Sequence, residues 1–549
     1  MSQTPFKITI EKPYYGWIPS LWTSTGHALE SSFNLMGQYS GYQEYSYSSS
    51  MMPNRPGFEG HLAPPPAFVP VVDAGGIVNG LALNSVITPD GTCYVLLDSN
   101  RYVTMSSLST PAVSQTIFGT VGSAVLYHGT HVSFATFNGD VANFATSGTN
   151  NSYAYISWTD NIDGDIGQFV GSTGTANYYT GIGGTALQTG KPHPLLVGND
   201  RFIYFGNGNV LGKFNPVTNT PTDIALTLPP YWTIQGACEY QNYHAIAAWQ
   251  QNASPEIPQD KGQAMLFFWD GIATAWNFQY DMQDFFVSNI FYDGQNLYVI
   301  TYGRNGTTKL KQFNGQGFDT LWESATIGLP PGNPNYGRTP VIGGVDLWLN
   351  HIVWTNGDQL ASSLNTTGFI NSYGSPEAQD FPAGFHQFAQ FPPSGISSLT
   401  RIGMVKNLYQ NTLFMGNCDV NGTYSIQYSD FTKYAVNGEF ISPLISLPAN
   451  STIDNVKVWL SQWGAGAALN LGIFKDYSTL GFGGTNDFLQ WNPTATALGT
   501  SVTYMYQTQS IANVNSFYLG IEWSHALTSN TAAIIRKIEI NGFSDDDNI

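Results

Sequence analysis

The feature that most constrains this chain is a turn that keeps returning. An Asp, Asn or Gly turn is followed at once by a short strand of alternating aromatic and aliphatic residues. It reads Asp90-Gly91-Thr92-Cys93-Tyr94-Val95, then His128-Gly129-Thr130-His131-Val132-Ser133-Phe134, then Asn199-Asp200-Arg201-Phe202-Ile203-Tyr204-Phe205. It recurs at Gln241-Asn242-Tyr243-His244, Asp293-Gly294-Gln295-Asn296-Leu297, Leu349-Asn350-His351-Ile352 and Gln410-Asn411-Thr412-Leu413. Asn and Gly tolerate the left-handed backbone of a tight reversal, and β-branched and aromatic residues favour the pleated strand after it. The anchors at 90, 128, 199, 241, 293, 349 and 410 leave one long gap, from 128 to 199, which has room for a further unit around Asp163-Gly164-Asp165-Ile166-Gly167-Gln168-Phe169.

A second half-motif follows some of these strands: Phe214-Asn215-Pro216, Trp269-Asp270-Gly271 and Phe313-Asn314-Gly315. It reads as an outer hairpin in which a strand ends on an aromatic residue, a turn reverses it, and the return strand carries Trp276 or Trp322. Units of about 40–60 residues with four strands each are propeller blades. Six to eight fit between residues 70 and 437, with seven the best count, and an irregular stack of β-sandwiches is the alternative. Helical periodicity is scarce, with one weak stretch from Ser20 to Leu35.

Near residue 438 the pattern changes to longer alternating strands, among them Ile453–Leu460, Leu469–Phe474, Ser516–Trp523 and Ala533–Ile540, enough for one β-sandwich. Residues 1–69 differ again: Pro13-Tyr14-Tyr15-Gly16-Trp17 and Tyr39–Tyr47 are aromatic and turn-rich, and Pro64-Pro65-Pro66 is stiff extended backbone. Such a segment lacks a core of its own. It is either a strap across the propeller or an arm that docks on a neighbouring subunit. The expected organisation is therefore all-β: an extended N-terminal arm (1–69), a β-propeller of about seven degenerate blades (70–437) and a C-terminal β-sandwich (438–549).

Charge narrows the function. The formal net charge is −18 and only 10% of residues are charged. Residues 102–190 contain no Lys or Arg. A duplex-binding protein clusters cations against phosphates, so nucleic-acid binding and docking on an anionic membrane are not expected. Cys93, Cys238 and Cys418 are widely spaced, which argues against a disulfide framework and a cysteine zinc site. The opening MSQTPFKITIEKPYYG has no apolar signal core, so folding in a reducing cytoplasm is expected.

No chemistry-bearing motif stands out. His128 and His131 would face opposite sides of a strand. Thr88-Pro89-Asp90-Gly91-Thr92 is an ordinary hairpin turn despite a faint likeness to the Asp-box of sialidases. Asp160-Asn161-Ile162-Asp163-Gly164-Asp165 could offer oxygens to calcium but lacks the closing Glu, and reads as a solvated acidic turn. No catalytic, cofactor-binding or metal residue is assigned, and no cofactor is expected.

The layout resembles that of structural proteins of tailed bacteriophages, in particular propeller-containing tail tube or nozzle proteins. The resemblance lies in an N-terminal arm carrying Ser49-Ser50-Met51-Met52-Pro53-Asn54-Arg55-Pro56-Gly57-Phe58, a degenerate propeller, a C-terminal sandwich, and a Gly/Tyr/Asn-rich acidic surface. It implies a non-enzymatic virion component, assembled in the host cytoplasm as a homo-oligomeric ring of the tail through the arm and sandwich. Such a ring meets other tail or connector proteins, holds DNA only as passing cargo during ejection, and inserts into no membrane. The alternative is a carbohydrate-binding or carbohydrate-active propeller, whose exposed Trp and Tyr would stack on sugars.

Overall fold

The computed structural model describes residues 4–11, 47–49, 52, 55–57, 61–73, 75–88, 90–97, 101–106, 113–116, 134–138, 152–159, 164–189, 191–250, 263–303, 308–323, 345–355, 370–374, 384–388, 399–409, 411–419, 423–435, 437–442, 444–463, 468–474, 489–491, 504–507, 510–524 and 532–544. The stretch Ser20–Leu35, the pair His128 and His131, and Asp160–Asp163 lie outside them.

Seven four-stranded antiparallel sheets form a propeller. Blade 1 comprises Ala82–Ile87, Thr92–Leu97, Arg101–Ser106 and Val113–Thr116. Blade 2 comprises Phe134–Asn138, Ser152–Thr159, Gly164–Val170 and Thr173–Thr175, and blade 3 Leu195–Val197, Ile203–Asn207, Val210–Asn215 and Thr220–Thr227. Blade 4 is Trp232–Tyr240, Tyr243–Gln250, Gln263–Trp269 and Phe278–Asp281; blade 5 is Phe286–Tyr292, Leu297–Tyr302, Thr308–Phe313 and Phe318–Glu323. Blade 6 is Val345–Trp348, His351–Thr355, Ile370–Gly374 and Gly384–Phe388. Blade 7 takes Leu399–Leu408, Thr412–Asp419 and Tyr424–Tyr434 from late in the chain and its outermost strand, Pro66–Pro70, from the N-terminal segment. The first strands of successive blades lie side by side, and Leu399–Leu408 packs on Ala82–Ile87 to close the ring. At that closure Gly403 is required, because a Cβ there would lie 2.4 Å from the Ala82 carbonyl oxygen.

Why these strands read as unbroken apolar runs follows from the packing. Each blade is covered on both faces, so both sets of alternating side chains are buried. Thus Val95 and Leu97 enter the core shared by blades 1 and 7, while Tyr94 and Leu96 enter the core shared by blades 1 and 2. A separate apolar cluster fills every junction in turn, through blades 2/3, 3/4, 4/5, 5/6 and 6/7.

The recurrent turn is the reversal between first and second strands in six blades, at 90–91, 199–201, 241–242, 293–296, 349–350 and 411. Left-handed φ values mark it at Gly91, Arg201, Gln241, Gly294, Asn350 and Asn411. Blade 2 departs: its second strand begins at Ser152, not after His128, and Gly164–Val170 is its third strand, not a further blade. The outer half-motif forms the reversal between third and fourth strands of blades 3, 4 and 5. There Asn215, Asp270 and Asn314 each accept two backbone N–H bonds through Oδ1, from Val217 and Thr218, Ile272 and Ala273, and Gln316 and Gly317. Trp322 is buried, and Trp276 packs edge-on to Phe267 at 5.4 Å.

The remaining strands form the two layers of the sandwich. One layer places Thr4–Glu11, Ile534–Ser544 and Ile445–Gln462 side by side, with Tyr504–Gln507 on its far edge. The other comprises Tyr47–Ser49, Asn437–Ile441, Ala468–Phe474 and Leu489–Trp491. Ile511–Ser524 passes between them: its first half pairs with Ile445–Gln462, its second with Asn437–Ile441 and Ala468–Phe474. Val456, Val458, Leu460, Ile538 and Ile540 face Leu469, Leu471, Leu519, Ile521 and Trp523 in one cluster, which continues into the junction of blades 5 and 6.

The boundaries expected at 69/70 and 437/438 meet a more interlaced chain. Pro66–Pro70 straddles the first, because the ring is closed by a strand from the other end of the sequence. At the second, Tyr424–Tyr434 and Asn437–Ile441 nearly abut, and the Ala435 N–H donates to the Pro65 carbonyl at 2.9 Å. The described parts of residues 1–69 are strands and clamps within the chain's own sheets: Thr4–Glu11 and Tyr47–Ser49 in the sandwich, Leu62 bridged to Ile535, and Met52 in the core of blades 6 and 7.

Candidate interaction surfaces

Three clusters bring charged groups together, as a site with convergent polar groups requires. In blade 5, Asp284 precedes the first strand, Thr301 lies on the second, and Lys309 and Lys311 lie two apart on the third, hence on one face. Lys311 Nζ stands 2.6 Å and Lys309 Nζ 3.1 Å from the Asp284 oxygens. Thr301 Oγ1 donates to Asp284 at 2.7 Å, and Lys311 Nζ to the Met282 carbonyl at 2.6 Å. Asp284 and Lys311 are buried. Lys309 and Lys311 therefore do meet in space, but around a carboxylate, and offer no basic patch to phosphate.

In blade 2, Asp165 is buried, contrary to its reading as part of a solvated acidic turn. Its carboxylate accepts from the N–H groups of Ile166, Tyr179 and Thr180 at 2.7, 3.1 and 3.2 Å, and from the Thr180 hydroxyl. Burial raises its pKa, and these four donors oppose the rise. Its oxygens are engaged by the loop they organise. No group of three or more His, Cys, Asp or Glu residues with metal-binding geometry occurs among the described residues. The three cysteines are free thiols, with Cys93 and Cys418 buried, and burial pushes the Cys93 thiol up to about 12.

The third cluster is on the outer face of the sandwich, where Lys7 and Arg536 are exposed, Lys457, Trp459 and Lys537 are half-buried, and Glu539 is buried beneath them. Alternation along Ile445–Gln462 sends Val456 and Val458 inward, so Lys457 and Trp459 point outward. Across the ladder, Lys457 is opposite Glu539 and Trp459 opposite Lys537, with Thr9 opposite Glu539 on the other side. Lys7 and Lys537 place their ammonium groups 2.8 and 2.7 Å from the same Glu539 oxygen. Lys457 Nζ lies 4.0 Å from the Trp459 ring centroid, and the Arg536 guanidinium 5.9 Å. Burial alone would raise the Glu539 carboxyl; hydrogen bonds from Lys537, Lys7 and Trp459 outweigh it and hold it at about 2. Beside this face runs a groove lined by Pro5, Phe6, Lys7, Asp454, Asn541, Gly542 and Phe543.

Arg536 and Lys537 are neighbours in sequence; strand pairing brings Lys457 to them from 80 residues away and Lys7 from 530. Sequence reasoning missed Arg55 as a clamp. The Arg55 guanidinium is buried, sits 3.9 Å from the Tyr434 ring centroid, and donates to the carbonyls of Pro64, Phe431 and Lys433.

No family model matches the chain, and no curated protein matches it. Solved structures similar to it include an exo-β-1,3-galactanase from Phanerochaete chrysosporium, 10% identical over 63% of this chain and 95% of that one, with a TM-score of 0.27. Another is an extracellular domain named as part of a hybrid two component system from B. thetaiotaomicron, 10% identical over 73% of this chain and 47% of that one, with a TM-score of 0.43.

Proposed function

We propose that this chain is a non-enzymatic structural subunit of a bacteriophage tail, a component of a nozzle or tail-tube ring through which DNA leaves. The observation that carries the reading is the weaving of propeller and sandwich into one body. The N-terminal segment contributes an edge strand to the sandwich, a bridge at Leu62, the Arg55 clamp, and the strand that closes blade 7. One continuous segment is thus anchored in both modules, as suits a part that keeps its shape outside a cell. The clamp sits in the segment Ser49–Phe58, where the phage resemblance is carried.

The test is assembly of the purified full-length chain, followed by mass photometry and negative-stain microscopy. The expected outcome is a discrete ring, alone or with a tail partner, and no hydrolysis of glucans, sialosides or peptides. A chain that stays monomeric at its highest soluble concentration and binds defined glycans would instead make it a carbohydrate-binding propeller.

A further inference from the structure

Charge and exposed apolar surface are unevenly shared between two parts of the molecule. The strands Thr4–Glu11, Ile445–Gln462 and Ile534–Ser544 carry four basic residues, Lys7, Lys457, Arg536 and Lys537, against three acidic ones, Glu11, Asp454 and Glu539. The outer turns and outermost strands of blades 3 and 4, residues 215–227 and 270–281, carry Asp223, Asp270 and Asp281 and no Lys or Arg. Of the seven large apolar side chains exposed among the described residues, four lie here: Val217, Ile224, Ile272 and Phe278. Ile272 is 89% exposed at the outer turn of blade 4, and Ile224 65% exposed on the outermost strand of blade 3. At the same turn the N–H groups of Ala273 and Ile272 hold the Asp270 carboxyl below the usual range, so it stays charged. The sandwich is fastened at blade 7 through Leu62 and Tyr434, and it shares an apolar cluster with blades 5 and 6. In a ring of seven, blade 3 is two or three places from these. The basic face and the acidic, apolar rim therefore belong to different parts of one chain.

We infer that the sandwich face bearing Lys7, Lys457, Trp459, Arg536 and Lys537 docks on the outer rim of blades 3 and 4 of a second copy of this chain. The inference rests on the ring assembly proposed above and supplies its interface. Two different surfaces meet, so the contact is heterologous: each copy has one of each to offer, and repetition closes a ring if the rotation allows. The acidic rim attracts the cations and steers encounter, while the exposed isoleucines and phenylalanine lose water in the contact. A nucleic acid is the less suitable occupant. Lys7 and Lys537 already share Glu539, and a chain of −18 repels phosphate everywhere else.

The experiment uses the full chain and two double variants, K457E/R536E on the sandwich and I224K/I272K on the rim. The rim variant inserts cations without touching the carboxylates that hold the turns. Sedimentation velocity at about 100 mM salt should show wild-type assembly that weakens as salt rises. Each variant alone should associate at least about tenfold more weakly. An equimolar mixture of the two should recover assembly, since each reversed surface then meets a reversed partner; this recovery excludes misfolding as the cause. If wild type assembles and either variant assembles equally well, or the mixture does not recover, the interface is wrong while the ring reading stands. If wild type never assembles, the ring reading itself falls. Duplex DNA binding that K457E/R536E abolishes, with self-association unchanged, would also overturn the inference and assign the face to nucleic acid.

Discussion

Two clusters in this molecule use the same ingredients and have opposite surroundings. In blade 5, Asp284 is flanked by Lys309 and Lys311; on the sandwich, Glu539 is flanked by Lys7 and Lys537. The side chains of Asp284, Lys311 and Lys309 are 1%, 5% and 19% exposed; Glu539 is 9% exposed too, but its cations are wetter, Lys537 at 26% and Lys7 at 54%. In the dry cluster Asp284 and Lys311 have left water and depend on their partners to make up for it. In the wet cluster solvent and salt already screen the charges, so pairing adds little to stability and the cations stay available to a partner. Residue types alone do not separate an internal brace from an external surface; burial does.

The sharpest way to break this contrast is to remove one member of the dry cluster. Asp284→Ala leaves the buried Lys311 ammonium without its carboxylate, leaves Lys309 only Glu323 at 3.6 Å, and deprives the Thr301 hydroxyl of its acceptor. Removing one partner of a buried pair costs about 3–5 kcal/mol. The expected outcome is a large drop in thermal midpoint, relieved when Lys309 and Lys311 are also replaced by Met. A fall no larger than that of a surface substitution would show that water reaches the cluster.

Buried histidines extend the comparison to groups whose charged form is excluded. His193 and His351 are fully buried, and burial lowers both to about 4, against smaller opposing contributions from carbonyls of Gly206 and Gln188 for His193 and of Leu349 for His351. Both His193 nitrogens face carbonyl oxygens, Nδ1 toward Gly206 at 2.9 Å and Nε2 toward Gln188 at 3.0 Å, and a neutral ring donates to only one. Unfolded histidines take up protons below about pH 6.5, while the folded ones wait until about 4. Their contribution is therefore complete above pH 6.5 and is lost as pH falls toward 4, amounting to roughly 3 kcal/mol each at the lower end. Urea midpoints measured from pH 7 to pH 4 should slope downward, and less so in His351→Gln. Equal slopes in the two proteins would mean His351 is not kept neutral by the fold.

Arg55 is a third kind of buried charge, a cation held by the carbonyls of Pro64, Phe431 and Lys433 and by the rings of Phe431 and Tyr434. Truncation to Ala removes the charge along with its contacts, so nothing charged is left behind. About 2 kcal/mol is expected, the scale of charge-assisted hydrogen bonds and a desolvated cation–π contact. Hydrogen exchange should locate the loss in Pro66–Pro70 and its partner strand; loss spread evenly over all blades would contradict a local clamp.

How much of this was legible in the sequence depends on the range of the interaction. The turns are local chemistry: in blades 1, 3, 4 and 5 one Asp or Asn oxygen caps backbone N–H groups two or three residues on, and in blades 4, 6 and 7 Gln241, Asn350 and Asn411 supply the left-handed backbone. Blade 2 escaped because its first-to-second reversal falls between Asn138 and Ser152, away from the His128-Gly129 anchor, and Gly164 opens the third strand instead. The onset of the sandwich near 438 was visible as a change in strand length. The strand swap that closes blade 7, the Arg55 clamp, the Asp284 brace and the four-cation face were not, since each joins residues brought together only by the completed fold.

The smallest expected effect belongs to the wet cluster, and it tests the contrast from the other side. The folded Glu539 carboxyl, at about 2, is depressed from its ordinary 4.5. Its contribution is thus present in full above about pH 4.5 and is lost as pH falls through 2, the reverse of a group that gains stability by taking up a proton. Exposure of Lys7 and screening reduce the linkage value to about 1 kcal/mol or less. Glu539→Gln should lower the urea midpoint slightly at pH 6, and the gap should close toward pH 2 and narrow in high salt. It should also leave Lys7 and Lys537 freer, so salt-sensitive self-association at pH 6 should strengthen, not weaken. A loss as large as that of Asp284→Ala, insensitive to salt, would place Glu539 among the dry braces and remove the distinction between the two clusters.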